Sequence, residues 1–262
     1  MPSAMATLES GSAELSIDLE AGARIASLRV HGHELLVTSG PGPIEWGCYP
    51  MAPFAGRVRS GRFRFGGVEH RLPRNLGDHA IHGTVFTRRW EPDAGGGWVC
   101  PLGDDWPFSG YARQMVELGE DSVDLRLEVH ADEPMPASVG WHPWFRRPVG
   151  GAAARVELTA GHMYRRDPDG VAGRERVPVP AGPWDDCFGD LTGPPAVSWQ
   201  GVLRLELAST CPYVVVFDER DHAVCVEPQT APPDAFNHDD GALVEPGRPL
   251  VATSRWTWEG RG

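Results

Sequence analysis

Apolar and polar residues alternate with a period of two along much of the chain. In residues 121–130 the apolar positions are Val123, Leu125, Leu127 and Val129. The same alternation occurs in residues 15–19, 62–65, 202–208 and 251–258. Successive side chains of a β-strand point to opposite faces, so this period predicts strands that are each buried on one side.

No stretch of sequence longer than a few helical turns keeps its apolar residues at helical spacing. Tyr213–Phe217 is instead a continuous run of aromatic and β-branched residues, which is typical of a strand buried on both faces. The 32 glycines and 25 prolines interrupt the predicted strands at intervals that suit turns. The pattern therefore predicts a large all-β protein with antiparallel strands.

Two segments stand out between the predicted strands. Residues 92–105 are rich in glycine, and residues 165–195 are rich in proline and acidic residues. We expect both to be loops, the second of them mobile. Strand patterning resumes after each without a shift in composition, so residues 1–262 are predicted to form a single domain.

The absence of lysine and the negative net charge of the chain exclude several classes of function. It has 262 residues and a net charge of −12, and all 24 of its basic residues are arginine. Without lysine there can be no Schiff-base aldolase, no pyridoxal phosphate enzyme and no phosphate-binding P-loop. The acidic balance also argues against a nucleic-acid partner, since such proteins usually carry a basic excess.

Targeting signals and a disulfide framework are not expected. Residues 1–15 have neither a basic start nor an apolar core, which argues against a signal peptide. No run of about 18 apolar residues occurs, so no membrane helix and no membrane partner are predicted. The five cysteines are odd in number and far apart, which favours buried free thiols in the cytoplasm.

Most of the ten histidines lie in polar turns or at strand ends, where solvated side chains are expected. Those seven are His31, His33, His70, His130, His162, His222 and His238. His79 and His82 form a His-x-x-His pair, but no third ligand accompanies it at metal-binding spacing. No metal site is predicted.

His142 and Glu227 each precede a proline, which favours extended backbone at both positions. Aromatic residues surround His142, so its imidazole could form the wall of an aromatic-lined pocket or be an incidental part of a core strand. Glu227 ends the alternating strand 223–227. Ala223, Cys225 and Glu227 then share one face, and Val224 and Val226 occupy the other.

Several segments together resemble the aldose 1-epimerase family, also called the galactose mutarotase-like group. The matching motifs follow in the order Pro53-Phe54-Ala55-Gly56-Arg57-Val58, Leu72-Pro73-Arg74-Asn75, Ala80-Ile81-His82-Gly83, Gly140-Trp141-His142-Pro143-Trp144-Phe145, Trp184-Asp185-Asp186-Cys187-Phe188 and Glu227-Pro228-Gln229-Thr230. Each motif alone is weakly specific, but their shared order is a strong signal. The chain differs from many relatives in having Gly56 before Arg57 and Trp144 where tyrosine is common.

The resemblance implies a twisted β-sandwich, called a supersandwich, with a sugar cleft on one concave sheet. It also implies interconversion of the α and β anomers of a free aldose without metal or organic cofactor, the sugar being the partner. By position, Glu227 would be the general base and His142 the general acid. Arg57, His82 and Asp185 would bind the sugar, and Asn75 would support the site.

These residue types suit the reaction, which removes a proton at O1 and delivers another to O5. A carboxylate and an imidazole can hold opposite protonation states near neutral pH if a neighbouring acid raises the imidazole pKa. Two alternatives stay open: a hexose 6-phosphate 1-epimerase, which would need arginines at the cleft, and a non-catalytic sugar-binding protein with the same fold. The arginine pairs 88–89 and 146–147 are available, although solvated surface positions are expected for both.

Overall fold

The structure is a computed structural model that describes residues 5–260. Residues 1–4, on which the expected lack of a signal peptide partly depends, lie outside the described part. The first strands are β1 (Met5–Ser10), β2 (Ala13–Asp18), β3 (Arg24–Val30), β4 (His33–Glu34), β5 (Cys48–Met51), β6 (Arg57–Val58), β7 (Arg62–Phe65), β8 (Val68–Arg71), β9 (Ala80–Ile81), β10 (Glu91–Pro92), β11 (Trp98–Pro101), β12 (Gly110–Leu118) and β13 (Ser122–Ala131).

The remaining strands follow with short connections. They are β14 (Met135–Ala137), β15 (Gly140–Arg146), β16 (Pro148–Val149), β17 (Ala152–Glu157), β18 (Ala160–Arg166), β19 (Ala172–Val177), β20 (Asp185–Leu191), β21 (Ala196–Trp199), β22 (Leu203–Ser209), β23 (Tyr213–Phe217), β24 (Ala223–Gln229), β25 (Ala242–Val244) and β26 (Leu250–Gly260). The helical elements of the described residues are two 3-10 turns, Arg59–Gly61 and Ala235–Asn237.

Two large antiparallel sheets form the body of the protein. One has 11 strands in the order β1-β2-β3-β5-β15-β24-β23-β20-β18-β19, with β4 attached to β3. The other has nine strands in the order β10-β11-β12-β13-β26-β22-β21-β17-β16. The predicted all-β class and antiparallel sandwich are confirmed.

The core lies between the two sheets and follows the predicted alternation. All four apolar residues of the 121–130 pattern are buried, as are the three leucines of β22. On β24, Val224 and Val226 join this main core, while Ala223 and Cys225 pack in a separate cluster on the opposite face. Glu227 follows the parity of Cys225, and its side chain is therefore directed away from the main core.

Three smaller expectations are wrong. Residues 165–195 are not a loop, because they contain β19 and β20, and residues 92–105 contain β11. His162 is not solvated: it is 7% exposed, and its Nδ1 lies 3.0 Å from Oδ2 of Asp190. Its position on β18, with the ring turned towards Gly189 of the adjacent strand, accounts for its burial.

The five cysteines are buried free thiols, as predicted. None of the helical elements in residues 5–260 has the length and apolar character needed to cross a membrane.

Candidate active site

The two residues expected to exchange protons lie on adjacent strands of the larger sheet. In the pairing of β15 with β24, Gly140 lies opposite Gln229 and Trp144 opposite Cys225. The same register places His142 opposite Glu227. Their side chains meet, with Nε2 of His142 3.2 Å from Oε1 of Glu227.

A cavity of about 320 Å³ opens over this pair. Its lining comes from strands of the larger sheet, from the small β6–β9 sheet and from irregular segments at the rim. The lining residues are Gly42, Pro43, Ile44, Glu45, Gly56, Arg57, Leu76, His82, His142, Trp144, Asp185, Val215, Phe217, Arg220, Glu227, Gln229 and Pro233. The volume and the mixture of aromatic and polar side chains suit a small polar ligand.

Aromatic rings hold the His142 imidazole in place. Tyr49 is its cross-strand neighbour on β5, and the two rings stack with centroids 5.0 Å apart. The indole of Trp144 lies nearly parallel to the imidazole, at 5.4 Å and 4°. The ring of His82 meets it edge-on at 4.9 Å. These contacts leave the imidazole little freedom to rotate.

Arg57 and His82 reach the cavity from the two-stranded sheet formed by β6 and β9, in which Arg57 pairs with Ile81. His82 follows directly, with a φ of 63° and its N–H donating to the carbonyl of Gly56. Gly56 itself has a φ of +68°, and a Cβ there would lie 2.9 Å from Cβ of Pro233. Glycine at this position therefore lets the backbone carrying Arg57 and His82 pack against the 233 loop.

Asp185 begins β20 and is held by two arginines. Its carboxylate lies 3.1 Å from Nη1 of Arg166 and 3.8 Å from Nη2 of Arg57. The next residue, Asp186, accepts a hydrogen bond from Nε of Arg166. Burial raises the pKa of Asp185 against the lowering effect of both arginines. The ion pairs fix the carboxylate at the cavity wall.

Burial shifts the pKa values of the central groups towards their neutral forms. It raises the pKa of Glu227 well above its ordinary value, and the charge of Asp185 adds to the effect. Burial lowers the pKa of His142 to about 3, with further lowering by Arg24 and Arg57. The direction for His142 is thus opposite to the raised imidazole pKa that the sequence argument set as a condition, because desolvation by burial is the largest cause.

Several buried polar atoms in the cavity lack hydrogen-bond partners among the described residues. They include Nδ1 of His82 and Oε1 of Gln229. The ligand atoms of His142, Cys225 and Glu227 lie within 4.8 Å of one another and could also hold a metal ion.

A sequence model described as aldose 1-epimerase matches residues 5–256 of the chain. The chain belongs to the aldose 1-epimerase family. The uncharacterised protein YphB of Escherichia coli is 23% identical over 221 residues, which are 74% of this chain and 76% of YphB.

Solved structures of aldose 1-epimerase relatives share the whole architecture. A galactose mutarotase-like protein from Clostridium acetobutylicum superposes with a TM-score of 0.83 at 17% identity, covering 98% of this chain and 95% of that one. A galactose 1-epimerase from Lactobacillus acidophilus gives a TM-score of 0.80 at 18% identity, covering 98% and 94%. At these identities the similarity establishes the fold.

Five of the six site residues expected from the aldose 1-epimerase motifs line the cavity: Arg57, His82, His142, Asp185 and Glu227. Asn75 does not. Its side chain is exposed, and its amide pairs with the backbone of Ile81, accepting from the N–H at 2.8 Å and donating to the carbonyl at 3.1 Å. Asn75 can thus support the strand that carries His82 without touching a ligand.

The sequence motifs of the aldose 1-epimerase family did not single out other lining residues. Gln229 donates to Oε2 of Glu227 at 3.2 Å, and its position two residues further on the same strand could have indicated a shared face. Phe217 meets the Trp144 ring edge-on at 5.8 Å. Ile44, Glu45 and Arg220 come from irregular segments, for which no periodic signal exists.

Proposed function

We propose that this protein is a mutarotase, which interconverts the α and β anomers of a free aldose with Glu227 and His142 as its proton-transfer pair. The observation that carries the proposal is the 3.2 Å contact between these side chains at the cavity floor. A protein that only binds sugar does not need a buried acid and a buried base in contact with each other. A positioned pair is what general acid–base catalysis requires.

In ring opening, the Glu227 carboxylate removes the proton of the O1 hydroxyl while the His142 imidazolium donates a proton to O5. The C1–O5 bond breaks and a carbonyl forms at C1. After rotation about the C1–C2 bond, the O5 hydroxyl attacks the opposite face of C1. His142 then recovers its proton from O5, and Glu227 returns its proton to O1, so the pair ends as it began.

The resting pair holds one proton in total. Because burial disfavours both charges, this proton belongs to Glu227 in the free protein, with His142 neutral. Transfer across the 3.2 Å contact produces the carboxylate and imidazolium needed for ring opening. The positive charge of Arg57 stabilises the Glu227 carboxylate and opposes the His142 imidazolium, so it acts on the two products of this transfer in opposite directions.

The other lining groups bind and orient the sugar. Arg57 and His82 line the cavity together with the proton pair, and we assign them to the ring oxygen and neighbouring hydroxyls. Asp185 accepts hydrogen bonds from hydroxyls further along the ring. Each positioned acid or base contributes roughly 10²–10⁴-fold, so together the pair supplies about 10⁴–10⁸-fold.

A sugar with an anionic substituent is a second candidate substrate. Arg220 lines the cavity and forms no ion pair with any carboxylate of the described residues. Guanidinium groups bind phosphate well. Neither of the arginine pairs considered from the sequence lines the cavity. Arg220 therefore takes the place of those arginines in the sugar-phosphate hypothesis.

The test is polarimetry on freshly dissolved α-D-glucose, α-D-galactose and α-D-glucose 6-phosphate. We expect the protein to accelerate the decay of optical rotation for at least one of them, and Glu227→Gln to lose that acceleration. Glu128→Gln is the matched control, since Glu128 is a buried carboxylate on the other large sheet. Failure to accelerate with any sugar, combined with measurable sugar binding, would replace the proposal with the binding-protein hypothesis.

A further inference from the structure

Arg24 is a fully buried arginine without an acidic partner. It is 0% exposed, and it forms no ion pair with any carboxylate in residues 5–260. Burial lowers its pKa to about 10. Since a buried cation is costly to desolvate, an apolar residue of similar size could serve the fold equally well. The position of Arg24 therefore calls for another explanation.

The guanidinium of Arg24 donates to backbone carbonyls of an irregular segment, residues 42–46. Nη1 lies 2.5 Å from the carbonyl oxygen of Trp46, and Nη2 lies 2.6 Å from that of Pro43. The hydroxyl of Tyr49 donates to the carbonyl between them, that of Ile44, at 3.0 Å. Arg24 and Tyr49 thus hold three carbonyl groups of one short segment.

This segment forms one wall of the cavity, which Gly42, Pro43, Ile44 and Glu45 line. The segment belongs to neither large sheet, and its backbone N–H groups form few hydrogen bonds with other backbone groups. The N–H of Glu45 donates to Gly42 at 3.4 Å, and that of Gly47 to Val37 at 2.7 Å. The segment therefore depends on side chains outside it for its shape.

Ring contacts connect Arg24 to the proton pair as well. Its Cζ lies 4.0 Å from the ring centroid of Trp46 and 4.8 Å from that of Tyr49. Tyr49 in turn stacks on His142 at 5.0 Å. Cation–π contacts of this kind are stronger when desolvated. Wall and imidazole are therefore held by one connected group of side chains.

We propose that Arg24 is a positioning residue that fixes the 42–46 wall at the distance needed to enclose the substrate. It acts through the carbonyls of Pro43 and Trp46 and does not touch the sugar itself. Without it, those carbonyls can be satisfied only by water, which requires the wall to move outward. The expected consequence is weaker sugar binding, and the kinetic part of this inference rests on the proposed function.

The first measurement is hydrogen exchange of the backbone amides, which is independent of activity. In Arg24→Met we expect exchange at Glu45 and Gly47 to become at least roughly ten-fold faster, with exchange elsewhere unchanged. Arg204→Met is the matched control, because Arg204 pairs with surface carboxylates on the other sheet. A uniform increase across the chain, or no increase at the wall, would overturn the proposal.

The second measurement is the split between KM and kcat. Arg24→Met should raise KM about ten-fold, equivalent to about 1.4 kcal/mol, with kcat changed less than about three-fold. Tyr49→Phe, which removes the bond to Ile44, should raise KM by a smaller factor. The double variant should show less than the product of the two effects, because both act on the same segment.

Arg24→Lys separates charge from geometry, since lysine keeps the charge but cannot match the fork of the guanidinium. A KM for Arg24→Lys that lies between those of wild type and Arg24→Met supports the proposal. If Arg24→Met does not fold, Arg24→Lys and Tyr49→Phe decide, and an unchanged KM in both would refute the role of the wall. If no sugar is turned over at all, the exchange data alone decide whether Arg24 holds the segment.

Discussion

Nε2 of His142 lies 3.2 Å from Oε1 of Glu227, and both side chains are almost completely buried. This contact has an electrostatic consequence, because burial favours the neutral form of each group. The pKa of the acid rises while that of the base falls, and the single proton stays within the pair. The one-proton form is therefore the stable form over an unusually wide range of pH, and it is also the form that the proposed mechanism requires.

The pH dependence of kcat/KM follows from this. On the acid side, activity falls only when a second proton binds to His142, whose pKa is lowered to about 3. On the alkaline side it falls when Glu227 loses its proton, at a pH well above the ordinary carboxyl range. Polarimetry corrected for buffer catalysis should therefore find full kcat/KM at pH 5. An acid limb centred near the ordinary imidazole pKa of about 6.5 would contradict the assignment.

The buried Glu227 carboxyl should also make stability depend on pH. Its folded-state pKa lies above the unfolded value, so the folded protein binds more protons between the two. Stability contributed by this group consequently decreases as the pH rises through that interval. The Tm of Glu227→Gln minus the Tm of wild type should therefore be larger at pH 8 than at pH 5. A difference in Tm that is the same at both values would show that Glu227 titrates normally.

Asp185 and Asp186 allow a paired test of sugar binding. Both carboxylates contact Arg166, at 3.1 Å and 3.0 Å, but only Asp185 lines the cavity. Asp185→Asn should therefore raise KM about ten-fold, the value of one charge-assisted hydrogen bond, with a smaller effect on kcat. Asp186→Asn should leave KM nearly unchanged. Equal effects in the two variants would assign the loss to the Arg166 ion pairs instead.

Gly56 should be intolerant of a side chain. Alanine there would combine a left-handed backbone at φ +68° with a Cβ placed 2.9 Å from Pro233. We expect Gly56→Ala to lower the free energy of unfolding by about 2–4 kcal/mol, from conformational strain and overpacking together. Gly67→Ala, at φ +80° with no atom within 4 Å, carries the strain alone. The two free energies of unfolding are measured by urea denaturation. If Gly56→Ala and Gly67→Ala lose the same amount, the contact with Pro233 relaxes without an energetic cost.

The strands and their faces could be predicted because their signal is local. The sequence pattern predicts the strands Arg62–Phe65 and Tyr213–Phe217 with the same bounds as the structure. The alternation in residues 223–227 also predicts that Glu227 and Val226 point to different faces of their strand, and the two faces of β24 do pack in separate clusters. Period-two alternation depends only on the geometry of extended backbone. The same signal fails in residues 165–195, where proline, glycine and charged residues hide β19, at the edge of the larger sheet, and β20, which lies between β18 and β23.

The sequence by itself determined the all-β class, the family and six candidate site residues, five of which line the cavity, because each depends on residue types in short, ordered motifs. Only the tertiary structure decided the order of strands that puts Tyr49, His142 and Glu227 side by side. It also decided the wall held by Arg24 and the position of Asn75 outside the cavity. Above all, only the tertiary structure decided the directions in which the pKa values of Glu227 and His142 shift, since desolvation depends on all the atoms that surround a group, and neighbouring residues in the sequence do not reveal them.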